Sequence, residues 1–190
     1  MQLKDLLGFE EKQVSNAYKQ AFESTYDKSF VDSYEAIKAE KGEELSSLVD
    51  RIAERIHAGI VIGLGIQYLK SKSSETNDAS IFESFVSEDG VYPIYVDGVR
   101  SDEIPELVEA LHVSYLNSHL APSKKGVSRS RSKVNIIEKG AVYTLTQIVD
   151  DIVEGAFDNY SQSNVFTPDM QVLDFACGTG RFYISPVKRV

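Results

Sequence analysis

The sequence predicts a mainly α N-terminal module followed by the opening of an α/β domain. Three observations carry this. From Glu10 to Leu69, apolar residues recur at the three- and four-residue spacing of helices that bury one face. Between Ala121 and Lys133 the composition turns basic and polar, as at a boundary. Near the end, Val172-Leu173-Asp174-Phe175-Ala176-Cys177-Gly178-Thr179-Gly180-Arg181-Phe182 reads as a buried strand breaking into a tight glycine turn, with a helix to follow. In such a turn the glycines admit a ligand close to the backbone, and the acid stands at the strand's carboxyl end, where α/β sheets bind ligands.

Taken in order, Glu10–Tyr26 forms the first helix, with Val14, Ala17, Tyr18, Ala21 and Phe22 as its apolar stripe. Glu10-Glu11-Lys12 has the acid-x-Lys spacing of some nucleases, but it lies on this helix with no partner strand and reads as an exposed charged face. Phe30, Val31, Tyr34 and Ile37 make a second stripe before a break at Lys41-Gly42. Glu43 to Tyr68 reads as one long helix with a seam of Leu45, Leu48, Val49, Ile52, Ala53 and Ile56. Its second half is apolar all round and is expected at the centre of the module. Gly59, Gly63 and Gly65 would each weaken an isolated helix by about 1 kcal/mol, so close contact with another helix is expected there.

Lys70–Ser80 is a polar loop, and Ile81–Val86 fits either a short helix or a strand. Val91–Val96 is β-rich and precedes Asp97-Gly98, which predicts a β-hairpin near 91–100, with Pro93 arguing for an edge strand. Ser101–Pro105 supplies start signals for a helix over Leu107–Leu120, closed by Pro122. His112 and His119, both on that predicted helix, lack a nearby third ligand and read as a surface or core pair rather than a metal site. Thr146–Phe157 predicts a helix with Ile148, Val149, Ile152, Val153 and Ala156 on one face, opposite Asp150, Asp151 and Glu154. Asn159–Asp169 is a polar loop, and Gln171–Phe175 is the strand that opens the sheet.

Composition bounds the function. An apolar share of 42% is enough for a packed core, and the net charge of −9 argues against a protein wrapped on nucleic acid, though not against a local contact patch. A single cysteine, Cys177, excludes an intrachain disulfide and fits a reducing cytoplasm. The most apolar run, Ala58–Leu69, is shorter than the ~20 residues of a membrane span. Lys124, Lys125, Arg129, Arg131 and Lys133 reverse the local sign. They read either as a solvated basic linker or as an arm that touches DNA phosphates.

The terminal string resembles the first cofactor-binding motif of the S-adenosylmethionine-dependent N6-adenine DNA methyltransferases, Asp-Pro-Ala-Cys-Gly-Ser/Thr-Gly-x-Phe, with Phe175 in place of the proline. Upstream, Gly140-Ala141-Val142-Tyr143-Thr144-Leu145 is similar to that family's Gly-x-x-Tyr/Phe-Thr-Pro, which a helix follows; Leu145 again replaces a proline. The resemblance spans residues 126–190. It implies a Rossmann-like methyltransferase domain in which Tyr143 and Thr144 close over the methionine end of S-adenosylmethionine. Asp174, Ala176, Gly178 and Gly180 would line the other side, and Cys177 would have no nucleophilic role. Proline fixes φ at about −65°, so losing it at both motifs implies a looser cofactor site.

The family's catalytic Asn/Asp-Pro-Pro-aromatic motif does not occur in these 190 residues. No catalytic or metal-binding residue is therefore assigned, and the chain alone is expected to be inactive. The organisation expected is a helical module over 1–122, a basic linker over 123–133 and an incomplete methyltransferase domain over 134–190. The chain is then the N-terminal part of a cytoplasmic restriction–modification enzyme. Its partners would be double-stranded DNA and a specificity or restriction subunit, and not a membrane. Two alternatives stay open: a non-catalytic interaction module or truncated remnant that docks a partner subunit, and a methyltransferase acting on RNA or protein.

Overall fold

The computed structural model describes residues 1–26, 33–72, 91–131, 146–165 and Thr167. The chain divides into two compact units, Met1–Glu138 and Lys139–Val190.

The first unit is the expected mainly α module. Helix α1 spans Leu3–Thr25 and helix α2 spans Tyr34–Lys72. The break anticipated at Lys41-Gly42 is a kink within α2, where Lys41 leaves helical geometry (φ −123°, ψ 25°) and the helix then resumes. The buried residues of α1 are Leu6, Glu10, Val14, Tyr18 and Phe22, a single row at four-residue spacing. They face α2 along its length and define two apolar clusters. One joins Val14, Tyr18 and Phe22 to Tyr34, Ile37, Leu45, Val49 and Ala53. The other joins Leu6 to Ile60 and Leu64, and to Ile104, Leu107 and Leu111 of the next helix. As expected, the glycine-containing half of α2 is buried, with Gly59, Ile60, Gly63, Leu64 and Ile66 all inside.

The glycines of α2 admit an extended chain rather than a second helix. Val91–Val96 forms no sheet among the described residues, so the hairpin expected near 91–100 is not there. The segment lies along α2 instead: Ile94 N–H donates to Gly59 O at 2.8 Å, and Gln67 Nε2 donates to Val96 O at 3.1 Å. A Cβ on Gly59 would stand 2.6 Å from Tyr92 O, and one on Gly63 would run into Ile94 O, whereas Gly65 has open space. The Asp97-Gly98 turn does form, with Gly98 at φ 74°.

A 3-10 turn at Ser101–Glu103 leads into α3, Ile104–Leu116. This helix ends before His119 because the chain turns at Asn117 into strand β1, Ser118–Ser123. Strand β1 pairs antiparallel with β2, Gly126–Arg131, in the register Ser118↔Arg131 to Ser123↔Gly126. The expected basic linker is thus a β-hairpin turning at Lys124-Lys125, and the first unit runs past residue 122. The hairpin is fastened at its turn, where Gly126 adopts φ 129° hard against Ser15 of α1, leaving no room for a side chain. Leu120 and, in part, Val127 reach the first cluster.

In the second unit, α4 spans Thr146–Ser161, four residues beyond the Thr146–Phe157 that the periodicity predicts. Its buried row is narrower than expected: Val149 and Val153 are inside, while Ile148 and Ile152 are 47% and 51% exposed. The predicted loop after it begins at Gln162. The predicted strand Gln171–Phe175, the glycine turn, and the segments 73–90 and 134–137 lie outside the described residues, and with them the α/β part of the fold.

Candidate functional site

Between the two apolar clusters of the first unit lies a layer of polar side chains. On α1, Glu10 occupies the buried row between Leu6 and Val14 and is fully enclosed, so it is not the exposed face its Glu-Glu-Lys context suggests. On α2, His57 is buried between Ala53 and Ile60. The two meet where the helices cross: His57 Nδ1 lies 2.9 Å from Glu10 Oε1. The second carboxylate oxygen, Oε2, accepts from Arg129 Nη2 at 2.7 Å. The same guanidinium donates through Nη1 to Ser118 Oγ at 2.8 Å, tying the two strands together at the hairpin root.

From α3, His112 Nδ1 comes within 3.3 Å of His57 Nε2. Tyr115 lays its ring on His57 at 4.1 Å between centroids and 10° between planes. Five side chains from α1, α2, α3 and β2 therefore share one buried contact region. A buried carboxylate is tolerated only when paired and hydrogen-bonded, and Glu10 has one partner on each oxygen. Arg129 is the less satisfied member: its Nε is buried without a hydrogen bond, and Glu11 is 3.9 Å away, too far to provide one.

The electrostatics follow from burial. Desolvation first, and then the nearby His57, hold the His112 imidazole below its ordinary range. Burial pushes the Tyr115 phenol up to about 12, helped by the carboxylates of Glu54, Glu10 and Asp50. Burial likewise raises Tyr18, with neighbouring Tyr34 adding to it. Chemically, carboxylate, imidazole and imidazole in line can hold and relay a proton. Ser118, the hydroxyl bound to the guanidinium, hydrogen-bonds Arg129 and the Ser114 carbonyl rather than an imidazole, so the layer is not an activated nucleophile. Among the described residues no cluster of three or more His, Cys, Asp or Glu is placed to hold a metal.

The residues singled out from the sequence fare differently. Arg129 points inward to Glu10 with its side chain 14% exposed, and is withdrawn from the candidate DNA contacts. Lys124 and Lys125 are exposed at the hairpin turn. Lys124 flanks a cleft of about 200 Å³ whose lining also includes Lys19, Phe22, Tyr34 and Ser123. Arg131 ends β2. Lys133, Tyr143, Thr144, Asp174, Ala176, Gly178 and Gly180 lie outside the described residues. His119 sits on β1, not on a helix with His112, and meets Ser130 Oγ at 3.0 Å across the strands.

Among the described residues no helix is long and apolar enough to cross a membrane. Comparison with protein-family models, curated proteins and solved structures returns no match to this chain.

Proposed function

We propose that the chain is the N-terminal part of an S-adenosylmethionine-dependent DNA adenine-N6 methyltransferase of the restriction–modification kind. In this reading the helical unit is a positioning module, and residues 139–190 begin the cofactor domain. The observation that carries it is the Asp174–Phe182 string with Gly140–Thr144 upstream of it. In support, a helix follows the upstream motif: α4 covers Thr146–Ser161. The second compact unit also begins at Lys139, beside Gly140.

The cofactor supplies a methyl group on a sulfonium, activated for transfer to an amino nitrogen. In this reading Gly178 and Gly180 would let the ligand lie against the main chain, with the carboxylate of Asp174 beside it. Lys124, Lys125, Arg131 and Lys133 are the DNA-facing candidates that remain after Arg129 is withdrawn, and of these Lys124 and Lys125 are exposed at the hairpin turn; such contacts position a duplex without reading its sequence.

The test is calorimetric titration of S-adenosylmethionine into the longest product of the reading frame that contains this sequence. Alongside it, transfer of a labelled methyl group to duplex DNA is measured. Binding heat that disappears in Asp174→Ala, with label recovered on adenine N6, is the expected result. No heat for either protein, or label on RNA or protein alone, would sink the assignment.

A further inference from the structure

We propose that His57 and His112 form a one-proton latch that fastens α3 and the hairpin root to the α1–α2 pair. It holds while the two rings share at most one added proton and releases when a second binds.

The hydrogen bonds dictate the count. Glu10 Oε1 can only accept, so His57 Nδ1 carries a hydrogen across the 2.9 Å contact. In the 3.3 Å gap between His57 Nε2 and His112 Nδ1, one nitrogen must donate and the other accept. With both rings neutral, His112 donates. One added proton leaves every link intact, either on the outer nitrogen of His112 or on His57 Nε2 with His112 now accepting. A second added proton puts hydrogens on both facing nitrogens, and the bond becomes a repulsion between cations whose rings are 5.6 Å apart.

Charge balance points the same way. The Glu10 carboxylate already neutralises Arg129 at 2.7 Å, so two added protons would leave a double positive charge in a largely buried layer. Several other groups lie near it. Glu11 on α1 sits 3.9 Å from Arg129 and is partly solvated. Asp50 and Glu54 on α2 are exposed, so water screens them. Tyr115 on α3 is held neutral.

What opens is local. The His57–His112 bond is a polar tie between α2 and α3, and α3 runs through Asn117 directly into β1. The N-terminal part of α3 keeps its apolar hold through Ile104 and Leu107.

The test is amide hydrogen exchange on the intact chain at pH 7.5 and 5.5, corrected for intrinsic rates. A closed pair that binds one proton fewer than the opened one raises opening by up to about tenfold per pH unit while that difference lasts, so a rise of about tenfold is expected over the interval. Exchange should accelerate by about that factor across residues 118–131 and the last turn of α3, and not at residues 60–66 of α2. His112→Asn places an amide where Nδ1 stood and cannot titrate, so its acceleration should fall below about twofold. A flat wild-type profile, or an unchanged tenfold rise in the variant, overturns the latch. Ring-nitrogen NMR on the wild type gives an independent count: the latch requires one proton taken up by the pair above pH 5.5, and two would overturn it.

Discussion

Replacing Glu10 by glutamine tests the buried layer most directly, because it removes the charge and nearly preserves the shape. Glu10 is fully enclosed and the Arg129 side chain is 14% exposed, so solvent screens their attraction little. In Glu10→Gln the guanidinium keeps Ser118 but loses its close anion; Glu11 at 3.9 Å is the nearest substitute. Removing one member of a buried ion pair costs about 3–5 kcal/mol, a large part of a typical domain stability of roughly 5–15 kcal/mol. At about 2–4 °C per kcal/mol for a chain of this size, the melting temperature should fall by roughly 6–20 °C. Arg129→Met should also destabilise, since it strands the carboxylate with His57 alone. Combining the two removes both charges, so the double variant should lose less than the sum of the singles, by a coupling of about 1–3 kcal/mol. Urea unfolding followed by far-UV circular dichroism, which reports chiefly on α1 and α2, supplies the energies. A Glu10→Gln loss below about 1 kcal/mol, or strict additivity, would refute the description of Glu10 as the paired centre of the layer.

Two further outcomes follow from the same structure. Gly63→Ala should destabilise by about 1–3 kcal/mol because its methyl group meets the Ile94 backbone, whereas Gly65→Ala, with open space around it, should stabilise by about 0.5–1 kcal/mol. Equal effects at the two sites, read from denaturant midpoints, would mean that the 91–96 strap does not lie on α2. Tyr115, pushed up to about 12, keeps its proton in the folded protein while an unfolded tyrosine loses it near about 10. The folded state therefore binds more protons in that window, and stability should fall as pH rises from about 10 to 12, with Tyr18 acting in the same direction. Phenolate absorbance should lag behind that of the urea-unfolded chain across the window; coincident titrations would contradict the burial.

The helices were legible in the sequence wherever one apolar face repeated. The stripes on α1 and α4 and the seam of α2 run far enough to fix the type of element but not where it begins: α1 starts at Leu3 rather than Glu10, and α2 at Tyr34 rather than Glu43. The hairpin was hidden for the opposite reason. Strands β1 and β2 read Ser-His-Leu-Ala-Pro-Ser and Gly-Val-Ser-Arg-Ser-Arg, with Leu120 and Val127 as the residues that reach the core. A two-stranded ribbon lying on a helix buries too little to show the alternation that marks a strand. Its basic residues then read as a linker. The β-rich run at 91–96 misled in the complementary way. Val96 is a true core residue and Ile94 packs in part against the second cluster, while Tyr92 and Tyr95 are exposed; the two α2 glycines give the run a helix to lie on instead of a partner strand.

The polar layer could have been anticipated from one continuation. Extending the Val14–Tyr18–Phe22 row backwards by fours reaches Glu10 and then Leu6, which places a carboxylate on the face that must be buried. A charge there demands a partner, and the sequence is sparing with histidine, holding three in all. One of them, His57, lies in the most apolar part of the α2 seam. Such a residue, flanked by Ala53, Ile56 and Ile60, is itself a buried polar group in need of satisfaction. Two unsatisfied groups on two helices joined by a short connection are each other's natural partners. What no spacing rule reveals is the third member. Arg129 is 119 residues from Glu10 along the chain and sits in a run of five basic residues that all look alike. Only the fold shows that Arg129 is turned inward, and that changes the functional reading. A guanidinium held by a buried carboxylate anchors the hairpin, while the lysines at its turn are exposed.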